Sequence, residues 1–176
     1  MRIEKEQAIA VVVDYQEKLV PVMNDKDALI ANTKILLKGL KTLDIPMVIT
    51  QQYTKGLGMT VEPIVEAIGA DAYIDKIAFT AYDAVKDAVA GKKFVIVCGI
   101  ESHICVLQTV IDLKAGGYVP VLVADCISSR KEMDKQVAIE RARQEGAIVT
   151  TYESLLFELL KVAGTESSKT IQKLIR

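Results

Sequence analysis

Short apolar runs alternate along this chain with longer segments whose apolar residues recur every three or four positions. "AIAVVVD" at 8–14 is continuous and β-branched, the pattern of a strand covered on both faces. "MVIT" (47–50), "DAYIDK" (71–76), "KKFVIVCG" (92–99), "VPVLVAD" (119–125) and "AIVTT" (147–151) repeat it, with 92–99 the clearest central strand. Between the first two runs, Leu29, Ile30, Thr33, Leu36, Leu37 and Leu40 share one helical stripe, with Asp25 or Asp27 as its cap and Pro46 as its stop. Further helices are predicted over 62–68, from Thr80 to Ala90, over 103–115 up to Gly116-Gly117, and over 133–145 up to Gly146. A terminal helix over 152–163 and a docking tail over 168–175 follow, while "QQYTKGLGMT" (51–60) reads as a loop. Strand–helix alternation throughout requires crossover connections, hence an α/β fold with a parallel sheet and helices on both faces. With no repeat, low-complexity tract or linker, residues 1–176 read as one domain.

Composition narrows the partners. Hydrophobic residues make up 51% and charged residues 26%, a globular balance. Lys and Arg number 22 against 23 Asp and Glu, and no basic stripe carries interleaved aromatics, so neither nucleic acid nor an anionic membrane is an expected partner. No apolar run approaches the roughly 18 residues of a membrane span, and "AIAVVV" is too short for a signal-peptide core. Three cysteines without a pairing pattern suit a reducing, cytoplasmic setting.

The candidate chemistry lies just past strand ends, where a doubly wound sheet opens its ligand crevice. Asp14, Lys76 and Cys105 occupy such places after the first, third and fourth strands. Cys105 falls early in a predicted helix, where backbone N–H groups and the dipole lower a thiol's pKa and a nearby Lys lowers it further. Position alone leaves it open between a nucleophile and a buried structural cysteine. Asp14 directly follows an apolar run, so its carboxylate must be solvated, paired or functional. A structural ion pair or a helix cap would satisfy it as well as catalysis would. Lys76 alone says little, since most lysines are solvated. Cys98 reads as inert core and Cys126 as structural or pocket-lining. His103 stands two residues before Cys105 and does not face it on a helix, so no Cys–His dyad is expected. A single His also leaves no Cys/His metal cluster.

"VVVDYQ", "DKIAFTAY" and "VCGIESHICVLQT" together resemble the isochorismatase-like cysteine hydrolase family. Its pattern is a strand ending in Asp-x-Gln, a Lys before a Phe-containing segment, and Gly-aliphatic-x-x-x-x-Cys-Val. Here these are Asp14 with Gln16, Lys76 with Phe79, and Gly99-Ile100 through Cys105-Val106. The stretches 99–130, 141–160 and 171–176 are especially similar to the isochorismatase domain-containing subgroup. The resemblance implies a three-layer αβα, Rossmann-like fold with a six-stranded parallel sheet. It implies a triad in which Cys105 is the nucleophile, Asp14 the base, and Lys76 the residue that holds both and stabilises their charges. It further implies an oxyanion hole from the backbone N–H groups of Glu101 and Cys105, with a cis peptide between Ile100 and Glu101. Gln16, Gln51, Tyr53, Phe79 and Tyr82 are the candidate substrate contacts.

Departures sharpen the expectation. Nicotinamidases of this family carry an Asp-x-His type metal site after the second strand, where this chain has Gln51 and Gln52. No metal or other cofactor is therefore expected, and nicotinamide is a poor substrate candidate. Isochorismate cleavage, which family members perform without a nucleophilic Cys, is not favoured either. The expected protein is a homo-oligomeric hydrolase acting on a small-molecule amide or acyl compound through a thioester. The competing readings are a catalytically silent scaffold of the same fold and a nucleotide-binding domain. The second lacks a Gly-x-Gly-x-x-Gly after the first strand. For the C-terminal segment, Leu156, Leu159, Leu160 and Val162 cannot share one stripe, so some dock on the core or meet a partner.

Overall fold

The computed structural model describes residues 1–176. Six strands, β1 (Ala8–Val13), β2 (Met47–Gln52), β3 (Tyr73–Lys76), β4 (Phe94–Ile100), β5 (Val119–Ser128) and β6 (Ile148–Thr150), form one sheet in the order β3-β2-β1-β4-β5-β6. Every neighbouring pair is parallel. Eight helices complete the chain: α1 (Lys26–Thr42), α2 (Thr54–Leu57), α3 (Glu62–Ile68), α4 (Tyr82–Val89), α5 (Leu107–Ala115), α6 (Glu132–Gln144), α7 (Tyr152–Leu160) and α8 (Glu166–Ile175).

The apolar runs of β1 and β4 are continuous because both strands are central and covered twice, and every residue in them is buried. Side chains alternate between faces. Ala10, Val12 and Ile96 meet Leu36, Leu37 and Leu40 of α1, with α3, α7 and α8 on the same side. Val11, Val13 and Val97 meet Val85 of α4, Val110 and Leu113 of α5 and Ala142 of α6 on the other. The result is a three-layer αβα fold. Full burial of a Leu contributes about 1.5–3 kcal/mol, so the α1 leucines are principal anchors of their face. The C-terminal segment docks there too. Leu156 and Leu159 are buried, and Gly39 makes room, since a Cβ on it would fall 2.6 Å from the Leu156 methyl carbons. Val162 and Phe157 stay exposed. No helix is long and apolar enough to cross a membrane.

Local differences from the sequence reading have physical causes. Asp25 is the N-cap residue of α1, but it takes a left-handed conformation and its side chain makes no capping hydrogen bond. The side-chain caps are Thr151 and Thr165, which accept from the backbone N–H groups of Ser154 and Ser168. Within 51–60, Gln51 and Gln52 extend β2 and residues 54–57 make one helical turn. β5 continues past Asp125 to Ser128, because pairing with β4 resumes beyond an irregularity at Gly99↔Ile127 and Ile100↔Ser128. The predicted helix at 103–115 begins instead with a π-helical turn, Ser102–Val106, and only then becomes α5.

Candidate active site

From β1 the sheet grows outward through β2 and β3, and from β4 in the other direction through β5 and β6. Their carboxyl ends thus flank the crevice at the topological switch point. Gly99 allows the two strands to close there. Its φ is +144°, and a Cβ would lie 2.2 Å from the Val13 carbonyl oxygen.

Asp14 leaves β1 with a φ of 53° and is fully buried. Thr50, in register with Val13, donates to Asp14 Oδ1 at 2.8 Å. Oδ2 accepts no aligned hydrogen bond, although Lys76 Nζ lies 2.7 Å from it. Lys76 ends β3, and its side chain is 3% exposed. Its Nζ donates to Gln52 Oε1 (2.7 Å), to the Phe79 carbonyl (2.9 Å) and to the Ala78 carbonyl (3.2 Å). An ammonium has three protons. Nζ thus has more acceptors around it than protons to give, and its 2.7 Å approach to Asp14 Oδ2 is an ion pair. Gln52 cannot reverse its amide without loss, because its Nε2 donates to the Ile77 carbonyl at 2.6 Å.

Cys105 sits on the π-helical turn beside this pair and is 5% exposed. Burial pushes its thiol up to about 12, and the Asp14 charge adds to the rise, while Lys76 and the Glu101 backbone N–H pull it down. The lowered pKa expected from a helix start is thereby corrected. The regular helix begins two residues later, and the thiol is buried and next to a carboxylate. Asp14 is also raised above the usual carboxylate range by burial, which outweighs Lys76 and Thr50.

The Ile100–Glu101 peptide is cis, and the Glu101 N–H faces the Cys105 sulfur. The Glu101 carboxylate accepts from the Arg130 backbone N–H and Nε, each at 3.1 Å. A cavity of about 90 Å³ opens over Cys105. Leu19, Leu57, Phe79 and Ile104 wall it, with Gln52 and Glu101 at its polar edge.

Of the five candidate substrate contacts, only Phe79 lines this cavity. Gln16 braces the loop after β2: its Nε2 donates to the Gln52 carbonyl (3.0 Å) and the Gly58 carbonyl (2.8 Å), and its Oε1 accepts from Gln52 N–H (2.7 Å). Gln51 bonds Thr60 and Thr54. Tyr53 is 51% exposed, with its ring over Gly56. Tyr82 packs edge to face on Tyr118, ring centroids 6.4 Å apart. His103 is directed away from Cys105, to Ser129 Oγ at 2.9 Å and to the Asp134 carboxylate at 3.9 Å. No three His, Cys, Asp or Glu side chains converge as a metal site would require. Thr50, Gln52 and Arg130 are contacts that sequence reasoning missed. For the first two a signal existed, a β-strand run ending in "TQQ" that packs its polar residues inside.

Residues 8–154 match the isochorismatase domain family. The chain is 35% identical to isochorismatase domain-containing protein 2A of Mus musculus over 180 residues, 99% of this chain and 85% of that protein. The MAR1 ribonuclease of Caenorhabditis elegans superposes with a TM-score of 0.94 at 34% identity, covering 99% of this chain and 92% of that one. YcaC of Escherichia coli, an octameric hydrolase of unknown specificity, shares the fold with a TM-score of 0.90 at 24% identity, covering 99% and 90%. With residues 8–154 matched by the domain and a relative 35% identical over 99% of the chain, the chain belongs to the isochorismatase family.

Proposed function

We propose that this protein is a cysteine-dependent hydrolase that cleaves an amide, or a related acyl compound, through a thioester on Cys105. The observation that carries this reading is a buried Asp14 carboxylate, paired with Lys76 at 2.7 Å, beside a thiol held at about 12. Such a thiol is almost wholly protonated at neutral pH, so attack requires a base in contact. Asp14 takes the Cys105 proton as the S–C bond forms. The backbone N–H groups of Glu101 and Cys105 receive the oxyanion. Asp14 returns the proton to the departing nitrogen as the C–N bond breaks, leaving a thioester and a free amine. Water then attacks the thioester and gives a proton to Asp14. The thiolate leaves and is reprotonated from Asp14, which releases the acid. Lys76 opposes the effect of burial on Asp14, since an adjacent positive charge favours the carboxylate.

A silent scaffold is the weaker reading, because apolar residues in place of a buried ion pair are often neutral or stabilising. The ribonuclease activity named for the C. elegans relative is not carried over. A chain of net charge −1 without a basic stripe has little to hold a polyanion. We extend the proposal to one domain over 1–176, working without metal or cofactor in the cytoplasm and assembled with copies of itself, as the E. coli YcaC protein is. Light scattering then gives a mass above 19.3 kDa across a dilution series. The test of mechanism is intact mass after incubation with amides and esters. Wild type gains an acyl mass on Cys105, whereas Cys105→Ala gains none and loses turnover by about 10³-fold or more. Retained turnover in a clean Cys105→Ala preparation removes Cys105 from the reaction.

A further inference from the structure

We infer that the site accepts a short, uncharged acyl group of about three to five non-hydrogen atoms, and excludes acyl groups that carry a charge; this rests on Cys105 being the nucleophile. The first support is size. An apolar cavity of about 150 Å³ takes one benzene, six carbon atoms, so the cavity of about 90 Å³ over Cys105 takes about three to five non-hydrogen atoms. A propionyl or butyryl unit fills it, and a longer chain must leave by the rim, where Phe79 is 55% exposed.

The second support is that the cavity offers no free counter-charge. Its walls, Leu19, Leu57, Phe79 and Ile104, are hydrocarbon. At its polar edge, Gln52 is used at both ends, by Lys76 Nζ and the Ile77 carbonyl. Glu101 is already paired with Arg130 through its carboxylate, which removes it as an anchor for a cationic group. The nearest cation, Lys76, is already paired with Asp14 at 2.7 Å and bonded to Gln52, Ala78 and Phe79. A carboxylate on the substrate would enter this pocket unpaired, next to Asp14 and Glu101, and an unpaired buried charge is strongly disfavoured.

Four amides that release the same ammonia test this: propionamide, butyramide, hexanamide and succinamate. Ammonia release by propionamide and butyramide should exceed that of hexanamide by about tenfold or more in kcat/KM, as overfilled apolar pockets discriminate per methylene. Butyramide should exceed succinamate by about 100-fold. Leu57→Ala, which opens one wall, should bring hexanamide up toward butyramide. A parallel measurement does not depend on turnover: alkylation of Cys105 by iodoacetamide against iodoacetate, each rate divided by that for glutathione, should favour the neutral reagent by about tenfold or more. Cys105-dependent turnover that prefers hexanamide or succinamate, or normalised alkylation that is equal or favours iodoacetate, overturns the inference and leaves the hydrolase standing. Turnover that persists unchanged in Cys105→Ala overturns the hydrolase reading itself, and the inference with it.

Discussion

Cys98 and Cys105 are two thiols that burial raises to about the same pKa, about 12, yet they stand in opposite kinds of surroundings. Cys98 lies inside β4 on the α1 side, with Tyr15 and Cys126 as neighbours. The Tyr15 hydroxyl donates to the Cys126 carbonyl and lies 3.0 Å from Thr33 Oγ1. This cluster is neutral, hydrogen-bonded and sealed. Cys105 lies on the opposite face, beside the Asp14–Lys76 pair and under an open cavity. Asp14 and Tyr15 are consecutive, so a single step of the chain separates the two clusters. A displaced pKa therefore reports burial. What reports chemistry is the company a group keeps: a base in contact, a fixed charge, and a space for a ligand.

The sharpest way to break this contrast is Asp14→Asn. The Asp14 charge is one cause of the high Cys105 pKa, so its removal makes the thiol more acidic. If acidity governed the rate, turnover would rise. With Asp14 as the base, turnover instead falls by about 10²–10⁴-fold, while alkylation of Cys105 at a given alkaline pH becomes faster. The two assays must move in opposite directions. Cys98, across the sheet, should show no change in either.

Lys76→Met comes next. It leaves a fully buried carboxylate without its counter-charge, which costs about 3–5 kcal/mol at neutral pH. Asp14 is already raised by burial despite Lys76, the strongest influence pulling it down, so it rises further in the variant. A group with a raised folded pKa supports the fold below its unfolded value, 3.8, and loses that support as pH rises through the folded one. The deficit relative to wild type should thus be smallest in acid and grow toward neutrality. Urea midpoints across that range measure it. A deficit that shrinks with rising pH would mean that Asp14 is not the group left unpaired.

The contrast between the clusters also marks how far the sequence could be read. The central strands were legible because double burial writes an uninterrupted apolar run, and the nearness of Asp14, Lys76 and Cys105 was legible because they stand at strand ends within family motifs. The state of the Cys105 thiol was not, since it depends on a π-helical turn and on burial that spacing does not record. Gln16 belongs to the Asp-x-Gln motif, but its amide faces backbone and not the cavity. Tyr82 follows a strand end, as a pocket residue would, yet packs its ring on Tyr118. In both cases a place along the chain does not determine the direction of the side chain.

The sealed cluster supplies the third test. Tyr15→Phe leaves the Cys126 carbonyl without its donor and Thr33 without its partner, at a cost of about 1–3 kcal/mol. Thermal or urea unfolding should show that loss while kcat stays at the wild-type value. A fall in kcat at unchanged stability would join the two clusters into one functional unit and undo the contrast.

Thr50→Val makes the smallest change, and it falls on the active cluster. It removes the 2.8 Å hydrogen bond to Asp14 Oδ1, at a stability cost of about 0.5–1.5 kcal/mol. After Lys76, Thr50 is the next influence that holds the Asp14 carboxylate down, so its loss lets the carboxylate rise. A base must be ionised to accept a proton. The acid limb of the pH–rate profile therefore moves to higher pH, and rate is lost first on the acid side, while the plateau above it is kept. Thr50→Ser retains the hydroxyl and should restore the wild-type limb. If both variants leave the limb in place, Thr50 does not tune Asp14, and the pair with Lys76 alone sets the base.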